Sequence, residues 1–407
     1  LVAEYSKANN GYTTLYNKPT GGASSPFRLG DFRGYFHKAN PEVKDYLSTN
    51  VFIRESDTNQ ILTLFNPVSA DGSQISYFDF AAFKDKYFGY IITDKSIEWL
   101  EHGRDPEKPF CLVVHHKAQH RNWMADTCDL ALFEDRTFPV PETFYDDYEG
   151  RPAAAAQEMS IASNHDMDPI YDLKMRQPGR KSRLSDAYEA MIGRMNPEQR
   201  AAWDRFYEPI AADFYARNPQ GRELAEWKFT RYMRDYLKTL KSLDDNVGRL
   251  LDYLEESGLA GNTLVVYTTD QGFYMGEHGW FDKRFMYEES FHTPLIISYP
   301  KHIKEGSECN QMVQNIDFAP TFIDLAGLDK PKYMPGTSLQ PLFAGAPVKK
   351  WRKSLYYHYY DYPTYHLVRK HDGVRTERYK LIHFYGKGGE RAVVENKYQG
   401  QPGTREN

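Results

Sequence analysis

Three short apolar runs and one amphipathic stretch stand out in the pattern of hydrophobic and polar positions. The runs at residues 110–114, 264–268 and 295–299 predict strands buried on both faces. Between residues 233 and 254 apolar side chains recur at spacings of three, four and seven, which predicts an amphipathic helix. Gly258 provides its C-cap, and the second run follows closely. Helix, turn and strand form half of a βαβ unit, so the pattern predicts an α/β fold with a mostly parallel sheet between helices.

The pattern changes from about residue 347 onward, where short aromatic segments alternate with turns. These segments are residues 356–360, 365–369 and 379–383. Such segments predict a small antiparallel sheet. We therefore expect a main α/β domain at residues 1–346 and a smaller C-terminal subdomain at residues 347–407.

Composition narrows the class of protein. The 407 residues are 41% hydrophobic and 26% charged, which is typical of a globular chain. The net charge of −5 provides no basic field for a phosphate backbone, so we expect no nucleic-acid partner. No apolar run approaches the roughly 20 residues of a membrane-spanning helix, so we expect no membrane span.

The three cysteines, Cys111, Cys128 and Cys309, stand far apart. They form neither a Cys-x-x-Cys pair nor a disulfide framework, and they leave the compartment open. Cys111 lies within an apolar run and is interpreted as a small buried hydrophobic residue.

Polar groups follow the second predicted strand directly. Asp270 and Gln271 leave its carboxyl end, where ligands bind in parallel sheets, and Gly272 allows a sharp turn. Carboxylate and amide oxygens suit Ca²⁺ or Mg²⁺. The alternative is an aspartate that merely caps a loop.

A charged segment bounded by aromatic residues comes next. In it, Lys283 is placed to hold an anionic substrate, and His278 to donate a hydrogen bond or act as an acid. The alternative is a structural loop held by an ion pair of Arg284 with Glu277 or with Asp282.

Imidazoles and cations also follow the first predicted strand, as an anion site requires. His116 and His120 have the i,i+4 spacing of a zinc helix. Zinc is disfavoured because the segment follows a strand directly and no glutamate lies between the two histidines.

Taken together, these segments resemble the type I, formylglycine-dependent sulfatases of the alkaline-phosphatase superfamily, in particular bacterial sulfatases that act on sulfated glycans. The matching segments are Asp270-Gln271-Gly272-Phe273, Gly276-Glu277-His278-Gly279, Asp282-Lys283-Arg284, Tyr287-Glu288 and Thr293-Pro294-Leu295-Ile296-Ile297. Residues 117–121 resemble the family's Lys-Ala-Pro-His-Arg segment, with Gln119 in place of proline. The resemblance implies an alkaline-phosphatase-like fold with a small C-terminal antiparallel sheet plus helix.

The resemblance also implies roles for the matching positions. Asp270 and Gln271 would coordinate the divalent cation, usually Ca²⁺, with Mg²⁺ as the alternative. Lys283 and His120 would be catalytic and would bind the sulfate, and Lys283 would assist the leaving oxygen. A metal and fixed cationic donors would stabilise the charge that spreads over sulfate oxygens in the transition state.

The implied substrate is a sulfated carbohydrate or another small sulfate ester, and the implied location is periplasmic or secreted. His278 is a further candidate for substrate binding, and His366, Arg369 and His371 are candidates that could reach the cleft and bind a carboxylate or hydroxyl of a sugar. The alternative for the residues beyond 365 is that they belong to the surface of an edge strand.

One part of the family pattern has no clear match. Family members carry an Asp-Asp pair and a Cys/Ser-x-Pro-x-Arg motif whose first residue becomes formylglycine, the nucleophile. Ser24-Ser25-Pro26-Phe27-Arg28 fits the bare motif, but a Gly, Ser and Pro turn is the ordinary interpretation. Neither Asp146-Asp147 nor Asp244-Asp245 is a convincing replacement for the metal pair. We therefore expect the nucleophile to lie outside this chain.

Three functions compete on this basis. The first is hydrolysis of sulfate esters, probed by turnover of an aryl sulfate. The second is a phosphatase or phosphonate hydrolase of the same superfamily, which would prefer an aryl phosphate. The third is a non-catalytic relative that binds sulfated glycans without turnover.

Overall fold

The computed structural model describes residues 52–53, 61–65, 75–79, 88–345, 348–359 and 365–385. The chain divides into two compact units, of which the first comprises residues 1–91 and 194–196. The second comprises residues 92–193 and 197–407. The domain boundary expected after residue 346 stays a prediction.

In the first unit the structure describes a three-stranded sheet. Its strands are β1 (Phe52–Ile53), β2 (Ile61–Phe65) and β3 (Ile75–Asp79). Both pairings are antiparallel, with β2 in the middle, and Ile61 lies opposite Asp79.

Helices dominate the next part of the chain. They are α1 (Phe88–Glu98), α2 (Pro152–Ala155), α3 (Ser185–Ile192), α4 (Pro197–Arg217) and α5 (Gly221–Glu256). Helix α5 contains the whole predicted amphipathic stretch and confirms it. Gly258 follows with a φ of 72°, the left-handed conformation expected of a C-cap glycine.

Helix α5 also buries a network of charges that its sequence pattern does not reveal. Asp235 accepts hydrogen bonds from Lys174 and Arg231, and Lys238 lies 3.5 Å away. Arg231 and Lys238 both reach Glu134 as well. Burial disfavours the Asp235 carboxylate, but these cations outweigh that effect and hold its pKa well below the usual range.

Two of the three apolar runs form strands, β4 (Val265–Thr268) and β7 (Leu295–Ser298). They pair with each other in antiparallel register, with Val266 opposite Ile297. One face packs against the cluster of Leu339, Leu342 and Phe343, whereas Ile296 on the other face is 63% exposed. Burial on both faces is therefore wrong for this pair as described. An antiparallel pair, unlike a parallel one, can leave one face uncovered.

The strand expected at residues 110–114 is wrong. This stretch has no regular secondary structure, and none of the described strands pairs with it. Val113 is 64% exposed, and Cys111 is exposed instead of buried. An apolar run becomes a strand only where a neighbour pairs its backbone N–H and C=O groups, and a local pattern cannot show that neighbour.

The remaining elements surround the predicted site. They are β5 (Tyr274–Met275), β6 (Phe281–Asp282), α6 (Glu288–Phe291), α7 (Phe318–Leu325), β8 (Ser354–His358), β9 (His371–Thr376) and β10 (Lys380–Phe384). Strands β8, β9 and β10 form the predicted C-terminal antiparallel sheet, with β9 in the middle. Between this sheet and the β5–β6 hairpin lies a core that includes Met159, Trp280, Phe285 and Val368. No described helix is both long enough and apolar enough to cross a membrane.

Candidate functional site

Glycine shapes the tight hairpin that presents the charged segment. Strands β5 and β6 pair in antiparallel register, and Gly276 enters the connection with a φ of 106°. A Cβ atom at Gly276 would lie 2.6 Å from the ring of Phe229. Both the backbone conformation and the close packing therefore require glycine, and they fix where the following residues emerge.

Lys283 follows this hairpin directly and is only 5% exposed. Its Nζ lies 3.4 Å from Oδ1 of Asp282 and 5.7 Å from the centre of the Phe273 ring. A carboxylate and an aromatic face therefore hold a buried ammonium group in place.

Asp282 joins three cationic or titratable groups. Its Oδ2 lies 2.7 Å from Nε2 of His366 and accepts a hydrogen bond from Arg284 at 3.2 Å. Burial opposes ionisation, but the hydrogen bond to His366 and the charges of Arg284, His366 and Lys283 outweigh it. The pKa of Asp282 consequently lies well below its usual range.

Two residues of this segment have unusual backbone conformations. Asp282 and Arg284 have backbone φ values of 71° and 118°, which residues other than glycine seldom adopt. The buried hydrogen bonds of Asp282 hold this conformation. Residues in such regions cost on the order of 1–3 kcal/mol each and concentrate at functional sites.

His120 lies on the loop that follows residues 110–114. It is exposed, and its Nδ1 lies 2.8 Å from the carbonyl oxygen of Arg121. Arg121 fixes the loop from below through two 2.6 Å hydrogen bonds to the buried carboxylate of Asp172. The imidazole of His120 is thus presented by an anchored loop.

Ring packing brings the His120 loop and the Lys283 hairpin together. Trp123 is buried, and its ring centre lies 6.2 Å from that of Phe273 and 6.3 Å from that of Phe281. The guanidinium of Arg121 lies 5.0 Å from the Phe281 ring. Both predicted sulfate-binding segments therefore share one aromatic foundation, although they are distant in sequence.

The predicted metal residues, Asp270 and Gln271, leave the end of β4 as expected. Asp270 is exposed, and its Oδ1 accepts a hydrogen bond from the Thr269 hydroxyl at 3.2 Å. Asn315 donates to the backbone carbonyl of Asp270 at 3.2 Å and fixes this exit. An exposed carboxylate beside an amide oxygen is a donor set that fits a hard divalent cation.

Gly272 allows the chain to turn immediately after these two residues. A Cβ at this position would lie 2.1 Å from the carbonyl oxygen of Glu289. The backbone N–H of Gly272 donates to Ser290 at 2.9 Å, and that of Phe273 donates to Glu289 at 2.7 Å. The strand exit is therefore closed tightly against α6.

His278 occupies a more structural position than the sequence suggests. Its Nδ1 lies 2.7 Å from Oδ2 of Asp146, and Tyr148 donates a hydrogen bond to its carbonyl at 2.6 Å. Burial opposes ionisation of Asp146, but hydrogen bonds from Arg151 and His278 outweigh it and lower its pKa to about 2. Contact of His278 with substrate stays a prediction.

The three C-terminal candidates, His366, Arg369 and His371, differ in burial and in contacts. His366 reaches Asp282, as described, and is mostly buried. Arg369 is partly buried, and its role in substrate binding stays a prediction. His371 is fully buried and stacks on Tyr357 and Tyr359. Burial lowers the pKa of His371 to about 4, so it belongs to the core and not to the cleft.

Sequence reasoning missed the groups that hold the site. Arg121 appeared only as part of a motif, and its partner Asp172 lies 51 residues away. Asp282 was proposed as a partner of Arg284, which is confirmed, but its bond to His366 spans 84 residues. The Ser24–Arg28 string lies outside the described residues. Asp146 and Asp245 pair with Arg151 and Lys241 respectively.

Two family profiles match the chain. The profile described as Sulfatase matches residues 7–328, which is more than half of the chain. A second profile, described as N-sulphoglucosamine sulphohydrolase, C-terminal, matches residues 276–401. Both Asp270 and Lys283 fall within the first match.

Individual relatives agree with the profiles. The chain is 48% identical over 300 residues to an N-acetylglucosamine-6-O-sulfatase from Bacteroides thetaiotaomicron, covering 72% of this chain and 53% of that protein. The multifunctional alkaline phosphatase superfamily protein PehA from Trinickia caryophylli is 28% identical over 183 residues, which cover 42% of this chain and 36% of that protein. The chain thus spans about half the length of the sulfatase relative.

The fold resembles that of a solved structure. That structure is described as a complex with its substrate D-glucosamine-2-N,6-O-disulfate, and it matches with a TM-score of 0.71 and 45% identity over 79% of this chain and 64% of that chain. The fold is accordingly α/β and alkaline-phosphatase-like. Members of this family generally use a metal and a formylglycine. The chain therefore belongs to the sulfatase family.

Proposed function

We propose that the protein containing this chain hydrolyses a 6-O-sulfate ester on a glucosamine-type sugar. The proposal is supported by the sulfatase relative, which is named for that bond, and by the solved structure described with a 6-O-sulfated glucosamine. The observation that carries it is Lys283, buried beside Asp282 and lying over the ring of Phe273, which in turn contacts Trp123 of the His120 loop.

Lys283 and His120 bind the sulfate group in this proposal. Lys283 presents a compact positive charge to the developing negative charge, and it assists the oxygen that leaves with the sugar. His120 acts from the facing loop, whose anchor is Arg121. The nucleophile, the formylglycine that the family resemblance implies, is not assigned to a residue of this chain.

Asp270 and Gln271 hold the divalent cation, with Ca²⁺ expected and Mg²⁺ as the alternative. Their oxygen donors and position at a strand end support this assignment. The cation, when bound, neutralises charge on the sulfate oxygens.

Asp282 and His366 lie beside Lys283 and recognise the sugar. Oδ1 of Asp282 is buried and lies 3.4 Å from Nζ of Lys283, and no hydrogen bond reaches it among the described residues. A carboxylate oxygen has more than one acceptor site, so beside this ion pair it also suits a sugar hydroxyl donor. His278 and Arg369 are the remaining candidates at the rim. We place the protein in the periplasm or outside the cell, where sulfated glycans are met.

The test is sulfate release from glucosamine-6-sulfate by the full-length protein, compared with an aryl sulfate and an aryl phosphate. Lys283→Ala and His120→Ala should each lower kcat/KM by at least about 10²-fold, since each removes a donor to developing charge. Lys332→Ala, which alters an exposed lysine, is the matched control and should leave kcat/KM unchanged.

Asp282→Asn tests both roles of this carboxylate. Because Asp282 also holds Lys283, the variant should lower kcat/KM for both substrates, with the larger loss for the sulfated sugar, since the aryl sulfate has no sugar hydroxyls. Preference for aryl phosphate would replace the proposal with a phosphatase or phosphonate hydrolase. Binding of the sulfated sugar without turnover would replace it with a non-catalytic glycan-binding protein.

A further inference from the structure

A second group of potential metal ligands lies on the loop between α2 and α3. Glu158, His165 and Asp166 each offer one ligand atom, and these atoms all lie within 4.8 Å of one another. Nδ1 of His165 lies 3.1 Å from Oδ1 of Asp166 and 3.9 Å from Oε2 of Glu158. One imidazole nitrogen therefore faces two carboxylate groups.

We propose that Glu158, His165 and Asp166 form a binding site for a transition-metal ion of the Zn²⁺ type. One nitrogen and two carboxylate oxygens are ligands that zinc accepts. With metal–ligand bonds of about 2.0–2.1 Å, tetrahedral geometry places ligand atoms about 3.3 Å apart. The observed separations of 3.1 and 3.9 Å bracket that value. Three protein ligands leave a fourth position open to water or to a ligand.

Of the two carboxylates that face the imidazole of His165, one lies at hydrogen-bond distance and the other at ion-pair distance. A proton on Nδ1 of His165 serves Asp166 at 3.1 Å, whereas Glu158 at 3.9 Å is beyond hydrogen-bond range. His383 and Asp372 form a simpler pair, with 3.3 Å between Nδ1 and Oδ1. That pair belongs to no three-ligand group among the described residues.

The loop is fixed before any ion binds. Oδ2 of Asp166 accepts a hydrogen bond from the backbone N–H of Ser160 at 3.0 Å. The Ser163 hydroxyl oxygen accepts hydrogen bonds from the backbone N–H groups of His165 and Asp166, both at 3.2 Å. These bonds leave Oδ1 of Asp166 directed at His165. Such preorganisation reduces the ordering cost of binding.

Nearby cations stabilise the loop through its backbone. Arg121 donates to the carbonyl of Asp166, and Arg183 donates to the carbonyl of His165, both at 3.0 Å. Lys228 is buried and donates to the carbonyls of Ser163 and Met167. Because these bonds end on carbonyl oxygens, they leave the Asp166 carboxylate oriented toward the imidazole.

The group is separate from the proposed calcium site but connected to the cluster around Asp282. The backbone N–H of Glu158 donates to the carbonyl of His366 at 2.8 Å, and Nδ1 of His366 contacts the carbonyl of Glu158. An ion held by Glu158 would therefore stiffen the segment that carries His366. The two sites differ in ligand type, since Asp270 and Gln271 offer only oxygen.

The test uses Co²⁺ as a visible probe on the full-length protein with saturating Ca²⁺ present. We expect one equivalent of Co²⁺ to bind and to give the intense visible absorption of a low-coordinate site. Loss of an outer partner of a metal ligand already weakens binding about 10–100-fold. His165→Ala and Glu158→Gln should therefore each weaken Co²⁺ binding by more than about 100-fold, whereas His383→Ala should leave it unchanged.

A wild-type measurement covers the case in which these variants fail to fold. Zn²⁺ should protect His165 from diethyl pyrocarbonate, as mapped by mass spectrometry, while His383 stays reactive. The proposal is overturned if no Co²⁺ band appears, if the band survives His165→Ala, or if Zn²⁺ leaves the labelling of His165 unchanged.

Discussion

The proposed sulfate-binding and metal-binding parts of the candidate site are built in different ways. Lys283 and Asp282 are 5% and 3% exposed, and charged and aromatic partners surround them. Asp270 is exposed at the end of β4, beside a strand pair with one uncovered face. Side-chain contacts with other described residues hold Lys283 and Asp282. Backbone hydrogen bonds hold the turn beside Asp270.

This difference separates two ways of placing a functional group. Burial and the ion pair with the adjacent Asp282, which is itself held by His366, fix Lys283, so its position depends on the stability of the surrounding core. Backbone hydrogen bonds at Gly272 and Phe273 fix the turn beside Asp270, while its carboxylate faces outward. Mutations of the buried contacts around Lys283 should accordingly lower the free energy of unfolding. Mutation of the exposed Asp270 should instead lower the affinity for the metal ion.

The largest expected effect is at the anchor of the His120 loop. Asp172→Ala leaves the buried guanidinium of Arg121 without its carboxylate, which should lower the free energy of unfolding by about 3–5 kcal/mol. The matched control is Asp204→Ala, which breaks the more exposed Arg200–Asp204 pair of the same 2.6 Å length. It should cost less than about 1 kcal/mol. Urea unfolding measures both, and equal losses would show that burial does not distinguish the two pairs.

A pH-dependent effect of slightly smaller size is expected at His371. Its folded pKa of about 4 lies below the unfolded value of about 6.5, so the unfolded chain binds the proton first as pH falls. Stability from this group is therefore complete above about pH 6.5 and declines by about 3 kcal/mol toward pH 4.

His371→Phe should remove this decline, because phenylalanine retains the ring stacking and cannot be protonated. Urea midpoints between pH 4 and pH 7 measure the difference between variant and wild type. His102→Gln is the control, since His102 is largely exposed. An unchanged pH dependence in His371→Phe would contradict the burial of a neutral imidazole.

The smallest effect on the unliganded protein is expected at Asp270. Asp270→Asn should change the free energy of unfolding by no more than about 0.5 kcal/mol without Ca²⁺. Wild type should gain about 2.7 kcal/mol at a Ca²⁺ concentration 100 times Kd, and the variant should lose that gain. Thermal unfolding with and without Ca²⁺ measures this, with the exposed Asp329→Asn as control. An equal Ca²⁺ response in wild type and Asp270→Asn would remove Asp270 from the proposed metal site.

Local pattern predicted the elements whose causes are local. Periodic apolar residues and a C-cap glycine predicted α5, and the aromatic segments predicted the C-terminal sheet. The pattern predicted the positions of strands β4 and β7, but it did not predict that they pair in antiparallel direction. The direction of pairing depends on two segments together and cannot be inferred from either one alone. The strand predicted at residues 110–114 is absent because no described segment pairs with it.

The residues of the candidate site also fall into those that local motifs predict and those that only the folded structure reveals. Motif resemblance predicted functional roles for Lys283, His120 and Asp270, and these roles stay predictions. It could not identify Asp172 as the partner of Arg121 or His366 as the partner of Asp282, because those contacts join segments 51 and 84 residues apart. Only folding brings such groups together, and the hydrogen bond from His366 with the nearby charges then outweighs burial and lowers the pKa of Asp282.

The contacts of Trp123 with Phe273 and Phe281 have a consequence for how this site can diversify over generations. Aromatic rings pack through broad surfaces, so exchange of one ring for another preserves the spacing of the two segments better than exchange of a hydrogen-bonded pair. If the proposed function holds, the side chains that bind the sugar would be free to vary while Lys283 and His120 keep their places. A lineage with this aromatic packing could then acquire new glycan preferences while retaining the same sulfate-binding residues.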